Sequence, residues 1–196
     1  MRMYNGVQRK KHHNNLGFSL LELMVTVAIM AVMLGAGLTT YRVVSRSNVR
    51  KATKYIDDFL TLAREKAKTI AAYEWNMTID ATGDSVYVEL VRVTQKEDGG
   101  LEETVMDRAK LPSNIKVRII DAKADKTYLG NGAGDIRYAS FVFTPLTGSV
   151  NKIYFNKDRN YNMVMDGGVC DIEAYYGTKK SKSVRIYFVT GKHMEV

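Results

Sequence analysis

Glu22 is the only charged residue in an apolar run that extends from Phe18 to Leu38. A carboxylate at the centre of a membrane helix costs roughly 2.5–3.5 kcal/mol, and less near an end. Such an acid needs a cation, so the first chemistry the sequence offers is ion pairing in a low dielectric. The other reactive side chains converge on nothing. His12, His13 and His193 are the only histidines, and two of them precede the apolar run. Asp57 with Asp58, or Asp80 with Asp84, could serve as acid–base pairs, but adjacent acids on a helix or in a turn read as solvated faces and caps. No metal-ligand spacing, phosphate loop or nucleophile elbow is present. No enzymatic activity, metal or cofactor is therefore expected. Cys170 is the only cysteine, which excludes an intrachain disulfide and reads as a buried, inert thiol. Basic residues gather near the C-terminus: Lys179, Lys180, Lys182, Arg185 and Lys192. In "TKKSKSVR" they offer DNA phosphate contacts, or else a soluble edge loop whose lysines discourage strand pairing.

The elements that must position these residues follow from charge and period. Of the formal net charge of +8, four units come from Arg2, Arg9, Lys10 and Lys11. Without residues 1–17 the chain keeps 25 basic and 21 acidic side chains, an ordinary mildly basic domain. Residues 1–17 read as a basic leader held on the cytoplasmic side. Residues 18–40 read as a retained membrane span, since the run is longer than a secretory signal core and contains no proline. Residues 41–73 continue the helix in amphipathic form. Val49, Ala52, Ile56, Phe59, Ala63, Ala67 and Ile70 recur at steps of three and four, with most charges off that stripe. A continuous helix from Phe18 to about Ala72 is expected, with Gly35 and Gly37 able to loosen it.

Residues 74–196 change period. "SVYVELVRV", "IKVRII", "RYASFVF", "NKIYFN", "YNMVM", "VCDIEAYY" and "SVRIYFV" are short and rich in β-branched and aromatic residues, with turn signals between them. Tyr161–Met165 is expected to pair with Gly168–Tyr176 across "DGG", and Thr94–Glu103 reads as an exposed loop. The fold class is α+β: one long helix whose stripe covers an antiparallel sheet.

"GFSLLE" at residues 17–22, after a basic leader and at the head of an apolar helix, closely resembles the processing site of type IV prepilins and pseudopilins. "AREKAKTI" (63–70), "FTPLTGSV" (143–150) and "VRIYFVTGK" (184–192) resemble the minor pseudopilins of the H type, the GspH/FimT group. The sequence departs from the commonest pilin pattern in having Thr39 where many carry a proline, and in having no disulfide loop. The resemblance implies cleavage after Gly17 by a prepilin peptidase and N-methylation of Phe18. It also implies assembly through Glu22, which would meet the amine of an incoming subunit. The implied partners are other pilin or pseudopilin subunits, an assembly platform protein and an assembly ATPase. The implied location is a single pass through the cytoplasmic membrane with the C-terminal domain outside, then a filament. A minor subunit is expected ahead of a DNA-uptake minor pilin or a major pilin.

Overall fold

One helix, α1 (Leu20–Thr69), carries both halves of the apolar pattern and runs unbroken through Gly35 and Gly37. The computed structural model describes residues 18–97, 99–121, 125–130, 135–156, 158–162, 168–177 and 180–196. The chain divides into two units, Met1–Arg42 and Val43–Val196. In the first, the described helix residues whose side chains are placed are exposed, including Leu20, Val25, Ile29 and Leu34. Thr26 and Thr40 donate their hydroxyls to the carbonyls of Leu23 and Ala36, which removes two polar groups from the helix surface. The helix is long and apolar enough to cross a membrane, and its most apolar stretch buries nothing within the chain.

In the second unit the same helix becomes one wall of a core. Val49, Ala52, Ile56, Phe59, Ala63 and Ala67 are buried as the stripe requires, joined by Leu60, with Ile70 packed at the margin. Thr53 also lies on the buried face, tolerated because its hydroxyl donates to the Val49 carbonyl. The helix stops at Thr69, short of the expected Ala72, and tertiary partners take carbonyls at its end and just beyond it. Leu146 N–H donates to Ala67 O at 2.9 Å and the Trp75 indole donates to Ile70 O at 3.3 Å.

The strands are β1 (Glu74–Asp80), β2 (Tyr87–Gln95), β3 (Leu101–Lys110), β4 (Lys116–Asp121), β5 (Lys126–Leu129) and β6 (Tyr138–Phe143). They continue with β7 (Val150–Phe155), β8 (Asp158–Asn162), β9 (Val169–Tyr176), β10 (Lys180–Tyr187) and β11 (His193–Glu195). They form two antiparallel sheets, ordered β3-β2-β1-β6-β7-β8 and β11-β10-β9-β4-β5. Alternate residues of both, such as Met77, Phe141 and Ile153 in the first and Ile119, Ile172 and Ile186 in the second, share one core with the helix stripe. All of that core lies after residue 43, so the second unit holds what it needs to fold alone.

The first sheet is coiled. Four strand spacings separate β7 from β3, about 19 Å in a flat sheet. Yet Tyr154 Oη donates to Glu103 Oε1 at 3.0 Å. Its second face closes on a small cluster of Tyr138, Val142 and Tyr154, with Asn76, Thr78, Ser140 and Glu89 buried among them.

Two strand expectations are corrected. Thr94–Glu103 is not a loop: β2 runs to Gln95, β3 starts at Leu101, and a tight turn joins them through Lys96 and Gly100. Because β3 is an edge strand exposed on both faces, its sequence lacks alternation. Nor does β9 pair with the strand before it. β9 lies between β10 and β4 in one sheet, whereas β8 pairs with β7 in the other. Gly168, at φ 70°, opens the crossing between sheets rather than closing a hairpin. Met163–Met165 lie outside the described residues.

Candidate functional site

The head of α1 is fixed by Ser19. Its hydroxyl oxygen accepts the Glu22 N–H at 3.2 Å, and its carbonyl accepts the Leu23 N–H at 3.1 Å. Ser19 is therefore the N-cap, and Ser-x-x-Glu is the spacing of a capping box. That signal was present in "GFSLLE" and explains part of what Glu22 does. In the first turn its carboxylate faces the partial positive charge of unpaired N–H groups, worth roughly 0.3–1 kcal/mol at an exposed site. Phe18 precedes the cap and is 79% exposed. Gly17, with the rest of the leader and its two histidines, lies outside the described residues. Were the chain cut after Gly17, a cationic amine on Phe18 would stand one helical turn from the Glu22 carboxylate. At about 4 Å and an effective dielectric of about 20, such a pair is worth about 4 kcal/mol.

Among the described basic residues near the C-terminus, Lys182 and Arg185 are not brought together. Lys179 lies outside the described residues, as does the side chain of Lys180. Lys182 and Arg185 project from opposite faces of β10, being three positions apart on a strand. Lys182 Nζ pairs with Glu195 at 2.9 Å. Arg185 binds the Asp171 carboxylate through Nε and Nη2 at 2.8 and 2.9 Å. Each of these two cations already meets an anion within its own domain.

One member of each candidate acid–base pair, Asp80 and Asp57, is engaged elsewhere. Asp80 closes the turn after β1 by accepting the Thr82 N–H and hydroxyl at 2.9 and 2.6 Å. Asp57 stands 3.5 Å from His193 Nε2, which is 2.9 Å from Thr61 Oγ1. Burial raises the Asp57 carboxyl pKa against the lowering effect of His193, with Glu195 and Asp58 adding to the rise. The arrangement ties the last strand to the helix. Among the described residues, no group of His, Cys, Asp and Glu is arranged to hold a metal ion. Cys170 is buried, and burial pushes its thiol pKa well above the ordinary value.

Three strings distant in sequence meet at the C-terminal end of α1. Leu146, in the turn after β6, donates its N–H to Ala67 O, and Arg64 Nε donates to Thr190 O at 3.2 Å. Val150 N–H donates to Phe188 O at 2.8 Å. The two glycine turns touch backbone to backbone: a Cβ on Gly191 would collide with the Gly148 carbonyl oxygen, and one on Gly148 would meet Lys68 Cε at 2.9 Å. Both glycines have positive φ, 65° and 61°. Leu146, at φ 68° and 72% exposed, holds a left-handed conformation unusual for leucine because its N–H caps the helix.

Residues 12–38 match the family model for the prokaryotic N-terminal methylation motif. No curated protein and no solved structure matches the chain. The motif spans the six residues before Phe18, the Ser19 cap, Glu22 and the apolar first part of α1. It is carried on a helix that packs against antiparallel sheets, a pilin-like α+β architecture.

Proposed function

We propose that the chain is a prepilin, cut between Gly17 and Phe18 by a prepilin peptidase and methylated on the new Phe18 amine. It then assembles as a structural subunit of a type IV pilus or a type II secretion-like filament. The observation that carries this reading is the methylation motif at residues 12–38, placed on a helix whose apolar half is unburied. Such a surface needs lipid before assembly and neighbouring helices after it, and exchanging the two costs little because both are apolar. Glu22 supplies direction: paired with the terminal amine of a neighbouring subunit, it fixes the axial step between helices. Residues 1–17 are removed, 18–40 serve as anchor and then filament core, and 41–73 join that core to the outer domain, 74–196. The partners are the peptidase, other pilin or pseudopilin subunits, an assembly platform and its ATPase. The chain faces outward from the cytoplasmic membrane before entering the filament.

The H-type branch is favoured by the meeting of 63–70, 143–150 and 184–192 at one place. The three strings that carry the resemblance form a single clamp on the helix end. The role is structural rather than catalytic.

Intact mass of the membrane-extracted protein tests the processing step. A product beginning at Phe18, with one added methyl group, is expected; one beginning near Leu38 overturns the reading. Glu22→Gln tests assembly: processing should persist while filament incorporation falls at least tenfold. Incorporation at the wild-type level refutes the role given to Glu22.

A further inference from the structure

Beside the turn between β10 and β11 lies an open groove of about 570 Å³. Val169, Tyr187, Val189 and Met194 supply its apolar surface and Lys192 its charge, and no carboxylate lines it among the described residues. Val189 is 84% exposed and Met194 50%, a large apolar area for the outer surface of a domain. Elsewhere on the same unit the tip between β2 and β3 has the opposite character. Leu101 is 53% exposed, with Glu97 and Glu102 exposed on either side of it in sequence and one exposed cation, Lys96, next to Glu97. The tip is held in shape by Lys96 N–H to Gly100 O at 2.8 Å and Gly99 N–H to Lys96 O at 3.0 Å. These bonds preorganise the described residues of the turn, which lowers the entropy lost when it is seated.

We propose that the groove receives the β2–β3 tip of a second copy of this chain. Leu101 seats among Tyr187, Val189 and Met194, and the acids beside it face Lys192. The two patches are complementary: an apolar hollow with a cation, and an exposed leucine flanked by two acids, at different places on one domain. A contact between different patches is heterologous, so it continues from copy to copy instead of closing as a dimer. The inference rests on the filament-subunit reading and names a contact between outer domains within it.

The test uses the full chain in membranes, with Leu101→Cys and Met194→Cys combined. Cys170 is buried and serves as the silent background. Mild oxidation should give a ladder of disulfide-linked multimers from the double variant and none from either single variant. Lys192→Glu in that background should reduce the linked fraction at least fivefold, and adding Glu97→Lys with Glu102→Lys should restore it. Unchanged urea midpoints for these variants in residues 43–196 would show that folding is not the cause. No ladder, a ladder indifferent to Lys192→Glu, or linkage only to a different protein overturns the docking. Sedimentable filaments without a ladder leave the filament reading intact. A ladder without filaments leaves the docking intact and removes that reading.

Discussion

Gly191→Ala should be among the most damaging single-methyl additions to the second unit. The new Cβ would lie inside the van der Waals sphere of the Gly148 carbonyl oxygen and 2.9 Å from its carbon. Both neighbours are backbone atoms, so no side chain can swing aside. Residue 191 also has φ 61°, which costs an L-residue roughly 1–2 kcal/mol before any clash. Separating the turns would break the Val150–Phe188 and Arg64–Thr190 hydrogen bonds, each worth roughly 1 kcal/mol net. The sum is roughly 3–4 kcal/mol. With a urea slope of about 2 kcal/mol per molar, the midpoint of residues 43–196 should fall by about 1.5–2 M. Gly99→Ala is the control, because it has φ 83° and nothing within 4 Å of the added methyl. It should lose only the backbone cost, roughly 1–2 kcal/mol. If the two variants shift the midpoint equally, the close approach of the two turns contributes nothing and the clamp described above is wrong.

Cys170 should resist a thiol reagent in the native protein and react at once in denaturant, since burial both hides the sulfur and keeps it protonated; fast native labelling would contradict its placement. Glu173 is raised by burial, but hydrogen bonds from Arg118 and Ser181 and the charge of Arg118 outweigh that and hold its pKa below the usual range. Its contribution is therefore present at neutral pH and lost as pH falls through that depressed value. Glu173→Gln should lower the urea midpoint at pH 7 and differ less in acid. Asp57 has the opposite sign: a raised pKa gives stability that is present below pH 3.8 and lost as pH rises through the folded value. Asp57→Asn should gain on wild type between acid and neutral pH, and a growing deficit would refute this. Because Lys182 and Arg185 are paired, residues 43–196 should show no salt-sensitive retention of DNA at physiological ionic strength. Retention lost in a Lys179/Lys180/Lys182 alanine variant would revive that role.

The helix was legible because its period is long and repeated: six of the seven stripe residues named from spacing are buried, and Ile70 packs against the core. β6 and β9 were legible from β-branched and aromatic runs. β3 was not, because a strand exposed on both faces carries no alternation, and "LEETVMDRAK" reads as polar chain. β1 was missed as well; Glu74, Asn76 and Thr78 interrupt its apolar positions, and Asn76 and Thr78 are buried only because the sheet coils around its second face. The division into two sheets depends on which strands cross between them, and turn residues such as Gly168 look alike at a hairpin and at a crossing. At the candidate site, Glu22 stood out by charge in an apolar run, while the cap role of Ser19 lay in a four-residue spacing within the same string. The pairing of Lys182 and Arg185 depends on Glu195 and Asp171, whose positions only the folded register sets.

The serine that opens the helix would constrain a terminus made by cleavage after Gly17. Were the chain to begin at residue 18, a single residue would separate its nitrogen from the anchored hydroxyl, so the charge would stay close to the cap. It would also be held at the mouth of its own helix, where the aligned peptide dipoles repel a cation. A carboxylate one turn along the same chain relieves this only in part, because the mouth and the charge remain together. A second carboxylate, presented by a neighbouring chain, would add to that relief without moving the amine from the mouth of its own helix. The cap would thus hold such a terminus where a counter-charge from a second chain still has something to stabilise.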